Sequence, residues 1–238
     1  MLTIAVLTFR NWKHLLPDCL ASIQPPEGVG TELLVVDNCA PIPVEVDPPW
    51  HVIRTEKNIG GIAGQNYCFR MAKYDWVLFV SDDVRFKQEA ISELWYQRTV
   101  DKQVSPVIFW PNQETQALGG RIDFGCVGKN NLRQDRIDYI PSITYLMHKT
   151  LWIKAGCFDE SLPGAYEDVD MGLKLGKDRL RVCIDSEAIH LGNATLKYTF
   201  RDKWRFLSAR TRILSRVILG RYTSRGVLRN SLATDSLQ

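Results

Sequence analysis

The sequence predicts an α/β fold, a central sheet of mostly parallel strands flanked by helices. Three observations predict it. Strand-like and helix-like segments alternate through residues 1–100. The strand-like segments are continuous apolar runs, as suits strands covered on both faces. Polar residues gather just past the carboxyl ends of those runs, at Thr8-Phe9-Arg10-Asn11, Asp37-Asn38 and Ser81-Asp82-Asp83. Ligands of such sheets bind along that edge.

Taken in order, Leu2 to Thr8 reads as the first strand. Asn11 is placed to cap a helix on which Leu15, Leu16, Cys19, Leu20 and Ile23 recur at helical spacing. Pro17 lies early enough to be tolerated or to bend it, and Pro25-Pro26-Glu27-Gly28 ends it. Glu32 to Val36 and His51 to Arg54 are the second and third strands. Gly60 to Gly64 reads as a loop, Gln65 to Lys73 as a helix, and Asp75 to Val80 as a fourth strand.

The second half is less regular. Gly119, Gly120, Gly125 and Gly128 mark turns around a hairpin, and Ser142 to His148 reads as a strand. Leu151 to Gly156 is a short helix. Glu167-Asp168-Val169-Asp170 opens another helix through Leu175, since carboxylates suit the positive end of a helix dipole. Arg181 to Ile184 is a final strand, with His190 close behind. From Lys197 to Arg229 ten Lys or Arg residues face Asp202 alone, and Trp204, Leu207, Thr211, Leu214 and Ile218 share one helical face. The reading is a domain over 1–195, in halves 1–100 and 101–195, followed by a basic helical extension over 196–238.

Composition narrows the function classes. A chain of 238 residues, 45% hydrophobic and 24% charged, buries one sizeable core. Its formal net charge of +3 sets up no strong field for nucleic acid, so no nucleic-acid partner is expected. Six cysteines stand without CxxC pairs or zinc-finger spacing, as expected of free thiols in a reducing, cytoplasmic compartment. No apolar run approaches the roughly 18 residues of a spanning helix, so any membrane contact is expected to be peripheral.

Ser81-Asp82-Asp83 follows the apolar strand Trp76 to Val80. Carboxylates there can hold a divalent cation that bridges two phosphates, or can simply make a turn. Glu167 and Asp168 offer a general base to an acceptor hydroxyl, or a solvated first helical turn. His190, among Ala188, Ile189 and Leu191, is a core histidine or a cation ligand. The glycine-rich stretch Asn58 to Asn66 precedes a helix and can bring amides near a nucleotide, although it has neither GxGxxG nor GxxxxGK[ST] spacing.

In this order the segments resemble the family-2 inverting glycosyltransferases of the GT-A fold, and among them the rhamnosyltransferase-like members. The resemblance runs from Thr3 to Arg212. It is carried by Thr8-Phe9-Arg10-Asn11, Val35-Val36-Asp37-Asn38, Asn58-Ile59-Gly60-Gly61 with Asn66, and Leu78 to Asp83. It continues through Gly119-Gly120-Arg121-Ile122-Asp123, Gly156 to Glu160, Glu167 to Asp170 and Ile189-His190. One departure is Ser81, which stands where the family usually has Asp.

The resemblance implies a nucleoside-diphosphate sugar donor held by the half 1–100 and a glycan or lipid-linked acceptor held by 101–195. Thr8, Arg10, Asp37, Asn58, Gly61 and Asn66 would lie at the nucleoside, with Asp37 reading the base. Asp82 would lie near the ribose or diphosphate. Asp83 and His190 would hold Mn2+ or Mg2+, Asp168 would be the base, and Glu167 would help position the acceptor. For residues 197–229 three readings stand: domain arginines, Arg210 and Arg212, that hold phosphate; a peripheral contact with an anionic membrane; or a solvated helix packed on the core. Two other functions remain open. Ser81 favours a non-catalytic sugar-nucleotide or glycan-binding module. A nucleotidyltransferase would carry a glycine-rich basic signature that Phe9-Arg10-Asn11-Trp12 does not supply.

Overall fold

A computed structural model describes residues 1–10, 12–132, 136–192 and 200–222. The helix cap assigned to Asn11 lies outside the described residues, as does the tail beyond Tyr222. In chain order the elements are β1 (Leu2–Thr8), α1 (Trp12–Ala21), β2 (Thr31–Asp37), β3 (His51–Arg54), α2 (Gly61–Met71) and β4 (Trp76–Ser81). Then follow β5 (Val84–Phe86), α3 (Ala90–Tyr96), β6 (Gln103–Phe109), β7 (Thr115–Ala117), β8 (Gly120–Asp123), β9 (Val127–Asn130) and β10 (Thr144–His148). The last are α4 (Lys149–Lys154), α5 (Glu167–Leu175), β11 (Leu180–His190) and α6 (Phe200–Ile218).

The main sheet has the order β3-β2-β1-β4-β10-β6-β11-β5, with β7 beside β6, while β8 and β9 form a separate hairpin. Strands β3, β2, β1 and β4 are parallel; β10 then runs antiparallel to both β4 and β6. The apolar runs are strands because both faces are covered. Ile4, Val6, Val35, Leu78 and Val80 pack with Leu16 and Cys19 of α1 and Leu94 of α3. Ala5, Leu34, Val36, Val77 and Phe79 face the other way, onto Phe69 of α2, Trp152 of α4, Val169 of α5 and Ile213 of α6.

The sheet curls. Asp82 and Asp83 alone separate β4 from β5, a reach of about 10 Å. Yet three strands stand between β4 and β5 in the sheet order, which in a flat sheet would put them about 19 Å apart. The curl brings the far edge back over the carboxyl end of β4.

Strands β5, β6 and β7 and helix α3 lie outside the expected elements, and α2, β11 and α6 differ from expectation. Helix α2 begins at Gly61, so that Gly61 to Gly64 is its first turn and not a loop. Gly60, at φ +85°, makes the turn, and Gly64 lets the helix settle on β1, where a Cβ would stand 2.8 Å from Leu7 Cδ2. Strand β11 runs past Ile184 to His190, with an irregularity between Cys183 and Glu187. Helix α6 buries Ala209 and Ile213, and leaves Trp204, Leu207 and Ile218 exposed. Its described part is no free extension: Arg216 pairs with Asp159 and Asp170, and Tyr222 donates to Asp170. All six cysteines are unpaired. Among the described residues no helix is long and apolar enough to cross a membrane.

Helix α5 meets the strand-like segment before β10 with no room to spare. A Cβ on Gly172 would lie 2.3 Å from the Asp138 carbonyl oxygen, and a backbone atom cannot rotate away. Gly172→Ala is expected to lose about 1–3 kcal/mol or more, read as a lower urea midpoint with an unchanged m-value.

Candidate functional site

The carboxyl edge of the curled sheet opens into a cavity of about 760 Å³. Its floor is the end of β1 and the β4–β5 link, with Thr8, Arg10, Ser81, Asp82 and Asp83. One wall is Asn38, Asn58, Gly60 and Gly61; the other carries Glu160, Gly164, His190 and Arg205.

The link residues are held from both sides. Thr8 Oγ1 donates to Asp82 Oδ2 at 2.5 Å. Burial, opposed by that hydrogen bond, pushes the Asp82 carboxyl up to about 7. Antiparallel pairing of β5 with β11 sets His190 opposite Val84, and the Leu191 amide donates to the Asp83 carbonyl at 2.9 Å. His190 Nε2 therefore lies 3.2 Å from Asp83 Oδ2. Its Nδ1 is engaged by the Gln116 amide group at 3.0 Å, and Trp110 stacks on the ring at 6.2 Å.

The glycine-rich wall is shaped by Asn38. Its Oδ1 accepts from the Ile59 amide at 2.9 Å, and its Nδ2 donates to the Gly60 carbonyl at 3.3 Å. No side chain caps α2, and a Cβ on Gly60 or Gly61 would meet nothing within 4 Å. The first amides of an eleven-residue helix thus face open cavity.

A smaller recess of about 240 Å³ adjoins the cavity at Gly164. It is lined by Glu167, Asp168, Gly128 and the rings of Tyr139, Tyr166 and Phe206. Asp168 is half-buried at the start of α5, where Oδ1 accepts from the Val169 amide at 2.8 Å. Desolvation, with the Glu167 charge next in size, raises its carboxyl to about 7. Glu167, itself raised by burial, accepts from Gln65 Nε2 at 3.2 Å.

The structure thus brings Thr8, Arg10, Asn58, Gly61, Asp82, Asp83 and His190 to one cavity, and Glu167 and Asp168 to the recess beside it. Two expected nucleotide residues are not on the cavity wall. Asp37 is buried, and its carboxylate is taken by Arg54 and the amides of Ala40 and Val44. Asn66 is saturated: it donates to the Phe158 carbonyl and Glu160 Oε1, and accepts from Trp152 Nε1 and the Phe158 amide. Both hold the walls from behind. Arg210 and Arg212 bind the carbonyls of Gly125 and Ser161. The sequence assigns no role to Arg205, Gln116 or Glu160; Glu160 closes the motif Gly156 to Glu160, and Arg205 is one of the basic residues on a helical period.

Residues 3–139 match the family described as glycosyl transferase family 2. The chain belongs to that family. It is also 36% identical over 93 residues to an uncharacterized glycosyltransferase of Haemophilus influenzae, a match covering 37% of this chain and 31% of that protein. The chain thus spans about a third of the length of that curated relative. Among solved structures it is similar to GalNAc-T7 with UDP, GalNAc and Mn2+, with a TM-score of 0.64 at 12% identity over 80% of this chain and 43% of that one. Staphylococcus aureus TarS gives a TM-score of 0.62 at 20% identity, over 92% of this chain and 39% of TarS. TarS 1–349 in complex with UDP-GlcNAc gives 0.61 at 20% identity, over 92% and 66%. The shared fold is GT-A.

The side chains of this family 2 chain that could hold a divalent cation are few. Among the described residues no three His, Cys, Asp or Glu side chains converge on one point. Asp83 and His190 do meet, and the Gln116 contact on Nδ1 fixes the ring with Nε2 directed at Asp83, as a partner on the far nitrogen does for a metal-binding histidine. A hard oxygen plus an imidazole fits Mn2+ or Mg2+ that takes its other ligands from phosphate and water.

The bonding of Asn66 makes a prediction against its expected role. Asn66→Ala should lower stability by about 1–3 kcal/mol for the polar groups it strands. Nucleotide affinity, measured by calorimetry, should stay within about twofold.

Proposed function

We propose that this chain is a metal-dependent inverting glycosyltransferase, taking a nucleoside-diphosphate sugar and passing the sugar to a hydroxyl of a glycan or lipid-linked glycan. The observation that carries the reading is a cavity holding Asp83 and His190 and a recess holding Asp168, with Gly164 lining both. The solved structures with UDP and UDP-GlcNAc support a UDP-sugar. A rhamnosyl or other deoxyhexosyl donor rests on the motif order alone.

In this reading the nucleoside lies along Thr8, Arg10, Asn38 and Asn58, with the open amides of α2 and Arg205 toward the diphosphate. Asp37 acts on the base from behind, by fixing the strand end that carries Asn38. A cation on Asp83 and His190 would supply positive charge to the diphosphate as it leaves. The acceptor enters the recess, where Tyr166 and Phe206, rings 6.2 Å apart at 69°, offer apolar faces to a sugar. Asp168 takes the proton from the acceptor hydroxyl. That oxygen attacks the anomeric carbon on the side away from the diphosphate, the old glycosidic bond breaks, and the configuration inverts.

The charge on Asp168 sets the pH dependence. A base must be ionised, so transfer should rise with pH through about 7, the position of the raised carboxyl. Glu167 is a like charge beside it; Glu167→Gln should move that limb to lower pH. Asp168→Asn should cost about 10²–10⁴ in kcat while keeping donor binding, and Asp83→Ala should abolish transfer. Retention of configuration in the NMR spectrum of the product would overturn Asp168 as base.

A second reading, a GT-A domain kept for binding sugar nucleotides or glycans, is favoured by Ser81 and by a donor set of two protein ligands. A panel of nucleotide-sugars with Mn2+ separates the two. Thermal stabilisation with neither hydrolysis nor transfer would leave the binding module; slow hydrolysis of one donor supports the enzyme.

A further inference from the structure

Helix α6 has two apolar sides. Ala209 and Ile213 are fully buried against the domain, yet Trp204, Leu207 and Ile218 are 58%, 52% and 75% exposed. At about 100° per residue, Trp204, Leu207, Thr211 and Ile218 lie opposite the buried side. Leu219 continues the exposed apolar surface past the end of the helix.

A second element adds to it. Phe124, at the turn of the β8–β9 hairpin, is fully exposed. The hairpin turn is tied to α6 by Arg210 Nε, which donates to the Gly125 carbonyl at 2.8 Å. Arg210 stands three residues from Leu207, so the exposed ring of Phe124 belongs to the same end of the molecule as Trp204 and Leu207. Lone exposed apolar residues need no explanation, but two neighbouring elements that both hold aromatic rings out mark a contact surface.

The charge says what covers it. Lys203 borders the stripe, Arg221 follows Leu219 at its end, and Asp202 is the one acidic residue between 197 and 229. A two-fold contact with a second copy would set these cations against their own kind. An anionic bilayer accepts both features: tryptophan settles at the lipid–water boundary, and basic side chains meet the headgroups. We infer that α6, through Trp204, Leu207 and Ile218, and the hairpin through Phe124, docks this chain on the surface of an anionic membrane. Arg205 and Phe206, which line the cavity and the recess, lie between Trp204 and Leu207. They point to the opposite side of the helix, so docking sets the site about one helix diameter, roughly 10 Å, from the membrane surface, which deepens and rests on the reading of a lipid-linked acceptor.

The test is co-sedimentation of the full chain with vesicles of phosphatidylcholine, with and without phosphatidylglycerol, together with sedimentation velocity of the protein alone. The chain should bind the anionic vesicles, and salt should release it. Phe124→Ser with Trp204→Ser should cut the partition coefficient tenfold or more, and Lys203→Gln about fivefold. UDP binding should be unchanged in both, showing that they fold. No binding to anionic vesicles, equal binding to neutral ones, or full binding by the double variant would each overturn the inference. So would a dimer that Trp204→Ser dissolves. Vesicle binding needs neither donor nor acceptor, so a chain that docks without transferring sugar contradicts the enzymatic reading alone.

Discussion

The site depends on the shortness of the link between β4 and β5. Two residues, Asp82 and Asp83, must carry the chain from the middle of the sheet to its far edge. That is feasible only because the sheet curls, and the curl in turn sets what the link touches. On one side is Thr8 at the end of β1; on the other is His190, held by the pairing of β11 with β5. A longer link would release the sheet from that curvature and the two carboxylates from their places.

Negative charge is the second constraint. Asp82 and Asp168 are both pushed up to about 7, in each case chiefly by burial. Each has a like charge as neighbour, Asp83 in the first case and Glu167 in the second. Elsewhere the molecule neutralises its buried carboxylates: Asp37 with Arg54, and Asp170 with Lys174 and Arg216. The carboxylates left with raised values are those that face open space. An arrangement of this kind suits ligands that bring their own positive charge or their own proton, such as a cation with a diphosphate, or a hydroxyl about to be deprotonated.

Much of this was legible in the sequence. Apolar runs and helical periods placed β1, β3 and α5 at their observed bounds, because strands covered on both faces and a helix with one buried side leave unambiguous patterns. The agreement of three polar clusters on one sheet edge located Thr8, Asp82 and Asp83. What could not be read were consequences of curvature and packing. Asp37 and Asn66 look like ligands in a motif, but the folded chain spends their hydrogen bonds on Arg54 and on the loop at Phe158. Gln116 reaches His190 through the pairing of β7 with β6, which no local signal announces. On α6 the more apolar face by period is the outer one, since Ala209 and Ile213 sufficed for the inner contact.

The proposed chemistry turns on a cation held by Asp83 and His190 under the donor diphosphate, with Asp168 in the next recess. Anomalous diffraction from crystals soaked with Mn2+ and UDP would locate that cation. One strong manganese peak is expected, bonded to Asp83 and His190 and touching the diphosphate, with Asp168 unliganded. A peak bonded to Asp168 or Glu167, or UDP seated in the cavity with no manganese at Asp83, would contradict it.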